Sequence, residues 1–232
     1  MKDFKLEIVK MYDGLQSRQN FAFSKYADGE WAAMTGRLLN NGEFSTQDDH
    51  DTKVSIELLI RSFQYKDEGY FVGISCPCCQ GPAHDQMKQA SGQDECNLTY
   101  ANLFVNSNYS FYENNFIPEY KNWKVNLVAH EDSNIGNLPF EVSNFFPIKK
   151  NAWIENVSLI EELKKLQTEN ELYLFCAGPF GNILSHNLWS NNKNNTYLDI
   201  GSTLNPYLET EGFKRGYLYG SDDVNKVCNW GS

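Results

Sequence analysis

Phe21-Ala22-Phe23-Ser24-Lys25-Tyr26-Ala27-Asp28-Gly29-Glu30 sets a short apolar run directly against an acid-glycine-acid turn, with the helix-prone Trp31-Ala32-Ala33-Met34 following at once. A run of this length reads as a buried strand, and the abrupt change of period reads as that strand feeding a helix. Upstream, Phe4, Ile8, Met11, Tyr12 and Leu15 recur at helical spacing and predict an amphipathic opening helix. Downstream, a helix is expected through 54–60 and strands at 70–75, 102–106, 124–129, 143–147, 171–176 and 196–200. Trp153, Val157, Ile160 and Leu163 share one helical face, and another helix is expected over 182–189, after Gly178-Pro179. Short apolar strands alternating with helices predict an α/β, Rossmann-like architecture, a mostly parallel sheet with helices on both faces.

The chain has 232 residues and no Pro/Gly/Ser-rich linker, so one domain over 1–232 is expected, with 209–232 as an irregular C-terminal tail. Twenty basic residues against thirty acidic ones leave a net charge of −10. A protein that tracks a phosphate backbone needs a basic surface, so nucleic acid is not an expected partner. No stretch approaches the roughly 18 apolar residues of a spanning helix. The first residues lack the apolar core of a secretion signal, so a cytoplasmic location with reduced thiols is expected.

In an open parallel sheet, ligands bind beyond the carboxyl ends of the strands. Three polar clusters fall there. Asp28-Gly29-Glu30 brings two carboxylates onto one turn, where they can converge on a hard cation or simply cap the helix that follows. Cys176-Ala177-Gly178-Pro179 opens a helix whose N-terminus suits a phosphate, or a purely structural helix start. Asp199-Ile200-Gly201-Ser202 ends the last strand, where Asp199 can orient a sugar hydroxyl or cap a turn.

Cys76-Pro77-Cys78-Cys79, with His84 and Cys96 downstream, offers ligands for a tetrahedral zinc. The usual paired CxxC spacing is missing and Cys78 adjoins Cys79, so plain thiols are favoured over zinc at Cys76, Cys78, Cys79 and Cys96. The four histidines show no dense metal spacing, and no G-x-S-x-G elbow appears.

Lys25-Tyr26-Ala27-Asp28-Gly29-Glu30, the central Asn151-Ala152-Trp153, Cys176-Ala177-Gly178-Pro179 and Asp199-Ile200-Gly201 arrive in an order that resembles the GT-D fold glycosyltransferases. The resemblance spans roughly residues 20–210. It implies a hexosyl- or pentosyltransferase that takes a nucleotide-sugar donor, read here as UDP-linked, and uses a divalent metal, manganese or else magnesium. Asp28 and Glu30 map onto the family's D-x-E metal pair and, with Asp199, stand as the expected catalytic residues. Lys25, Tyr26, Asn106, Asn151, Gly178, Pro179, Gly201 and Ser202 are the expected donor contacts. A glycan or glycoprotein is the implied acceptor, and its base is left open among Glu131, Asp132 and Asp199. Lys25 stands where the family often has arginine, which removes a bidentate phosphate contact. The alternative is a non-catalytic module of the same fold that binds sugar nucleotides or a protein.

Overall fold

Each apolar run that the sequence sets before a turn becomes a parallel strand, with one exception. The structure, a computed structural model, describes residues 1–40, 44–209, 215–218 and 222–230. The chain opens with α1 (Phe4–Gln16), β1 (Ala22–Lys25), α2 (Asp28–Met34), α3 (His50–Gln64) and β2 (Tyr70–Ile74). It continues through α4 (Pro77–Gln80), α5 (Pro82–Ser91) and β3 (Leu98–Tyr100). Short helical turns fill 106–122, with α6 (Tyr109–Phe111) and α7 (Ile117–Glu119) on either side of a π turn. The second half holds β4 (Val125–His130), β5 (Asn144–Ile148), α8 (Ala152–Glu155), α9 (Ser158–Lys164), β6 (Leu172–Phe175), α10 (Pro179–Asn191), β7 (Thr196–Asp199) and α11 (Asn205–Leu208).

Among the described residues the seven strands form one sheet in the order β3-β2-β1-β7-β6-β4-β5, every neighbouring pair parallel. Side-chain alternation along β1 shows how both faces are covered. Phe23 meets Phe104 at 5.1 Å between ring centres on one side. Ser24 turns to the other side, where it accepts a hydrogen bond from Asn182 of α10. Helix α10 is buried along most of its length because it lies on the sheet beneath α3 and α9, which explains why its apolar residues run all round.

The exception is 102–106, expected as a strand. The third strand stops at Tyr100, and a turn follows in which Asn106 takes a left-handed φ of 56°. Asn108 donates its side-chain amide to Leu103 and Phe4 carbonyls, so asparagines in this stretch satisfy local backbone groups that a strand would have paired with a neighbour. The tail is more than a loose end where it is described: Cys228 and Trp230 are buried, and Asn229 forms an antiparallel bridge with Asp3. No helix among the described residues is long and apolar enough to cross a membrane.

Candidate active site

The sheet order jumps at the β1–β7 pair, the place where loops from neighbouring strands diverge and leave a crevice at the carboxyl edge. Parallel register brings Lys25 at the end of β1, Asp199 at the end of β7 and Phe175 at the end of β6 to the same edge. Asp199 is 1% exposed, and its two oxygens accept from the main-chain N–H groups of Lys25 and Gly201, each at 3.3 Å. Burial pushes its carboxyl up to about 7; Lys25 opposes that rise and the nearby Glu30 charge adds to it. Asp199 therefore ties two loops together from beneath the edge. Expected to meet substrate as a catalytic group, Asp199 here spends both oxygens on the backbone of these loops.

Gly201 adopts a φ of 53°, where side chains are strained, and the space a Cβ would occupy is taken by the Lys25 side chain. Lys25 thus lies over the β7 turn, beside Asp199. Ser202 lies next to this turn, its hydroxyl 2.8 Å from that of Tyr217 in the tail.

Asp28 and Glu30 sit in the first turn of α2 and behave differently. Glu30 is 5% exposed, and its Oε2 accepts from the Ala27 N–H at 2.9 Å. It closes the helix start from the third helical position, the structural role that competes with metal binding. Asp28, exposed at the first helical position, is the acid of the pair that faces solvent. Among the described residues, Asp28, Glu30 and Asp199 do not converge as a three-carboxylate set.

Helix α10 begins at Gly178, whose φ of 53° turns the chain from β6 into the helix. Pro179 carries no N–H, while Phe180 and Gly181 donate to the carbonyls of Ala177 and Gly178. The backbone cradle expected at Gly178-Pro179 thus has its first-turn amides already occupied, and what it offers an anion is the helix's positive end. Asn182, one turn in, donates to Ser24 Oγ and the Lys25 carbonyl, fastening the start of α10 to the end of β1. The Asn182 amide, set in an otherwise apolar buried stretch of helix, is the sequence signal for this fastening.

Asn151 holds a left-handed backbone, and its Oδ1 accepts from Ser45 N at 3.1 Å and Trp153 Nε1 at 2.8 Å. It braces residues 44–46 against α8; Phe44 stacks edge-on to Trp153 and approaches Gly178. Tyr26, an expected donor contact, is instead fully buried: its ring packs on Phe63 of α3 and its hydroxyl donates to Ser62 at 2.8 Å. One residue beyond the strand, its side chain alternates into the core rather than toward the edge. Asn106, another expected contact, donates to the Cys228 sulfur and so belongs to a different cluster. His130 ends β4, and Glu131 and Asp132 stand exposed beyond it.

The thiols also differ from expectation. Cys96 lies outside the group that forms around Cys76, bonding Asn97 instead, and His84 is occupied by the Ser75 carbonyl at 2.8 Å. Two hollows on the described surface lie elsewhere, one beside Asp13 and Arg18, the other between Lys2, His84 and Trp230.

No protein-family model and no curated protein matches this chain. Solved structures do. One, from Streptococcus sanguinis and described as a new glycosyltransferase of domain of unknown function 1792, superposes with a TM-score of 0.64 at 13% identity, covering 97% of this chain and 93% of that one. Another, described as showing that the highly conserved domain 1792 has a distinct glycosyltransferase fold, gives a TM-score of 0.62 at 15% identity over 97% and 90% of the two chains. This chain shares the fold of those structures, described as a distinct glycosyltransferase fold, and its own version is built on the seven-stranded parallel sheet.

Proposed function

We propose that this chain is a glycosyltransferase that moves a sugar from a nucleoside-diphosphate donor, UDP-linked, to a glycan or glycoprotein acceptor with the help of manganese or magnesium. The observation that carries the reading is the meeting of Lys25, Asp28, Glu30, Gly178 and Gly201 with buried Asp199 at one sheet edge, in a fold shared with structures described as glycosyltransferases.

In a protein of net charge −10, a diphosphate needs local positive elements. Lys25 supplies a point charge, and its side chain lies against Gly201 at the β7 turn. The positive end of α10 adds a second, since its axis starts at the same edge. The oxygen chemistry of the acid pair fits a hard cation: magnesium-type sites use one or two carboxylates and complete their shell with substrate phosphates and water. Asp28 would be the principal ligand, because Glu30 has committed one of its two oxygens to Ala27. A bound ion would supply charge neutralisation for the departing diphosphate. Glu131 and Asp132, exposed beyond β4, are the acids assigned in this reading to the acceptor hydroxyl.

Release of nucleoside diphosphate from a panel of sugar nucleotides, with manganese, magnesium or chelator, tests the proposal. Metal-dependent release that Asp28→Asn abolishes is expected. Nucleotide binding by calorimetry without release under any metal would instead assign a binding module, and neither binding nor release would sink the reading altogether.

A further inference from the structure

We propose that Cys76, Cys78, Cys79 and Cys228 form a structural zinc site that staples the C-terminal segment to the sheet. The four Sγ atoms lie within 4.8 Å of one another, although Cys228 is far from the other three in sequence. Four sulfurs held about 2.3 Å from a central zinc stand roughly 3.8 Å apart, the edge of the tetrahedron. Here Cys79 and Cys228 are separated by 3.8 Å and Cys76 and Cys78 by 3.1 Å. The first matches that edge and the second is shorter, and both are far beyond a disulfide bond, so the sulfurs are unbonded.

The local backbone explains how neighbouring cysteines reach one point. Cys76 follows β2 and caps α4, where Cys79 and Gln80 both donate to its carbonyl, so the tight turn brings three successive thiol positions to one side. The surrounding polar groups are donors aimed at sulfur. Asn102 and Asn106 offer their side-chain amides to Cys228, the latter at 3.6 Å, and Asn229 N–H points to Cys78 at 3.4 Å. Thiolates bound to a metal carry excess negative charge and are stabilised by such N–H groups. Four protein sulfurs leave no open position, so the site is structural rather than catalytic. Zinc binding expels the thiol protons and leaves the sulfurs as thiolates.

What the metal would fasten is visible. Asn229 bridges Asp3, and Trp230 packs edge-on against His84 at 4.7 Å and Tyr100 at 4.9 Å. Ser107 N–H also donates to the Lys226 carbonyl, and four metal–sulfur bonds would add covalent-strength ties to these contacts. The ligand set replaces the expected Cys96 with Cys228, a residue whose distance in sequence hides it from spacing rules.

The experiment is metal analysis of the full-length protein purified without chelator or added metal, paired with its intact mass. About one zinc per chain is expected, falling below roughly a tenth in Cys228→Ser and staying at the wild-type level in Cys96→Ser. Should Cys228→Ser fail to fold, cobalt reconstitution of the wild-type chain gives the answer: intense tetrahedral d–d bands with strong thiolate charge transfer support four sulfur ligands. Wild-type protein without zinc, iron in its place, an intact mass lowered by disulfide formation, full zinc in Cys228→Ser, or a cobalt spectrum lacking thiolate charge transfer would each overturn the assignment.

Discussion

Lys25 lies so close over Gly201 that a Cβ added to the glycine would stand 2.3 Å from Lys25 Cε and 3.1 Å from its Nζ. The glycine is therefore a seat for the lysine, and its φ of 53° also disfavours any side chain.

Gly201→Ala should displace the Lys25 amine and lower kcat/KM for the donor at least about tenfold, some 1.4 kcal/mol in the transition state. Adding Lys25→Ala to Gly201→Ala should then cost little more, because the amine has already lost its place. A double-mutant cycle on donor turnover reads this directly. Fully additive effects would show that the two residues act apart.

Much of this arrangement is legible in the sequence, and the reasons for the rest are physical. The β1 stretch, the Gly178 turn and the β7 end announce themselves because apolar runs broken by Gly and Asp define strand ends locally. The left-handed Asn106 and the early stop of β3 do not, since Asn102-Leu103-Phe104-Val105-Asn106 has a strand's composition and its turn is held by Asn108, which bonds Leu103 locally and Phe4 across the fold. Tyr26 misled for another reason: the motif gives its place in the chain, whereas its hydroxyl partner Ser62 comes from a different helix. Cys228 was invisible because sequence distance says nothing about which loop a tail returns to.

Asp199 makes a signed prediction about pH. Its folded pKa of about 7 exceeds the unfolded value near 3.9, so the folded state holds the extra proton between those limits. Its contribution is complete below about pH 4 and is lost as pH rises toward 7, at most roughly 4 kcal/mol across the window. His186 pulls the other way, because burial lowers its pKa to about 4 and its stabilising effect fades as pH falls. The wild-type profile sums both slopes. The difference between wild type and Asp199→Asn, measured by urea unfolding at about pH 5 and about pH 7, should isolate the first: the variant gains relative stability at the higher pH. A difference that does not change with pH would remove the raised carboxyl.

The two acids of α2 should separate cleanly. Asp28→Asn leaves the helix start intact and should abolish metal-dependent turnover, by about a hundredfold or more, with little change in Tm. Glu30→Gln keeps an oxygen for the Ala27 N–H and should hold Tm near wild type, while Glu30→Ala removes the acceptor and should cost about 1 kcal/mol. Thermal melts and turnover on the three variants check the division. Equal loss of turnover in Asp28→Asn and Glu30→Gln would mean both acids serve the ion.

Asn151 is where stability and donor binding can be told apart. Its Oδ1 serves Ser45 N and Trp153 Nε1 together, and Trp153 is 1% exposed. Asn151→Ala strips both donors of their acceptor and places alanine at a φ of 65°. An orphaned buried N–H costs about 1–3 kcal/mol and left-handed backbone about 1 more. At roughly 2–4 °C per kcal/mol for a domain of this size, Tm should fall by about 5–12 °C. Asn151→Asp retains the acceptor and tolerates the conformation, so its Tm should stay within about 3 °C of wild type. Because Phe44 connects this brace to the Gly178 turn, Asn151→Ala should also weaken donor binding. Asn151→Asp should weaken it only through its added charge, a deficit that shrinks when magnesium screens the diphosphate. Calorimetry at two magnesium concentrations, set beside the melts, distinguishes a brace from a direct donor contact: a residue that touches the donor through its amide would lose affinity in Asn151→Asp regardless of magnesium.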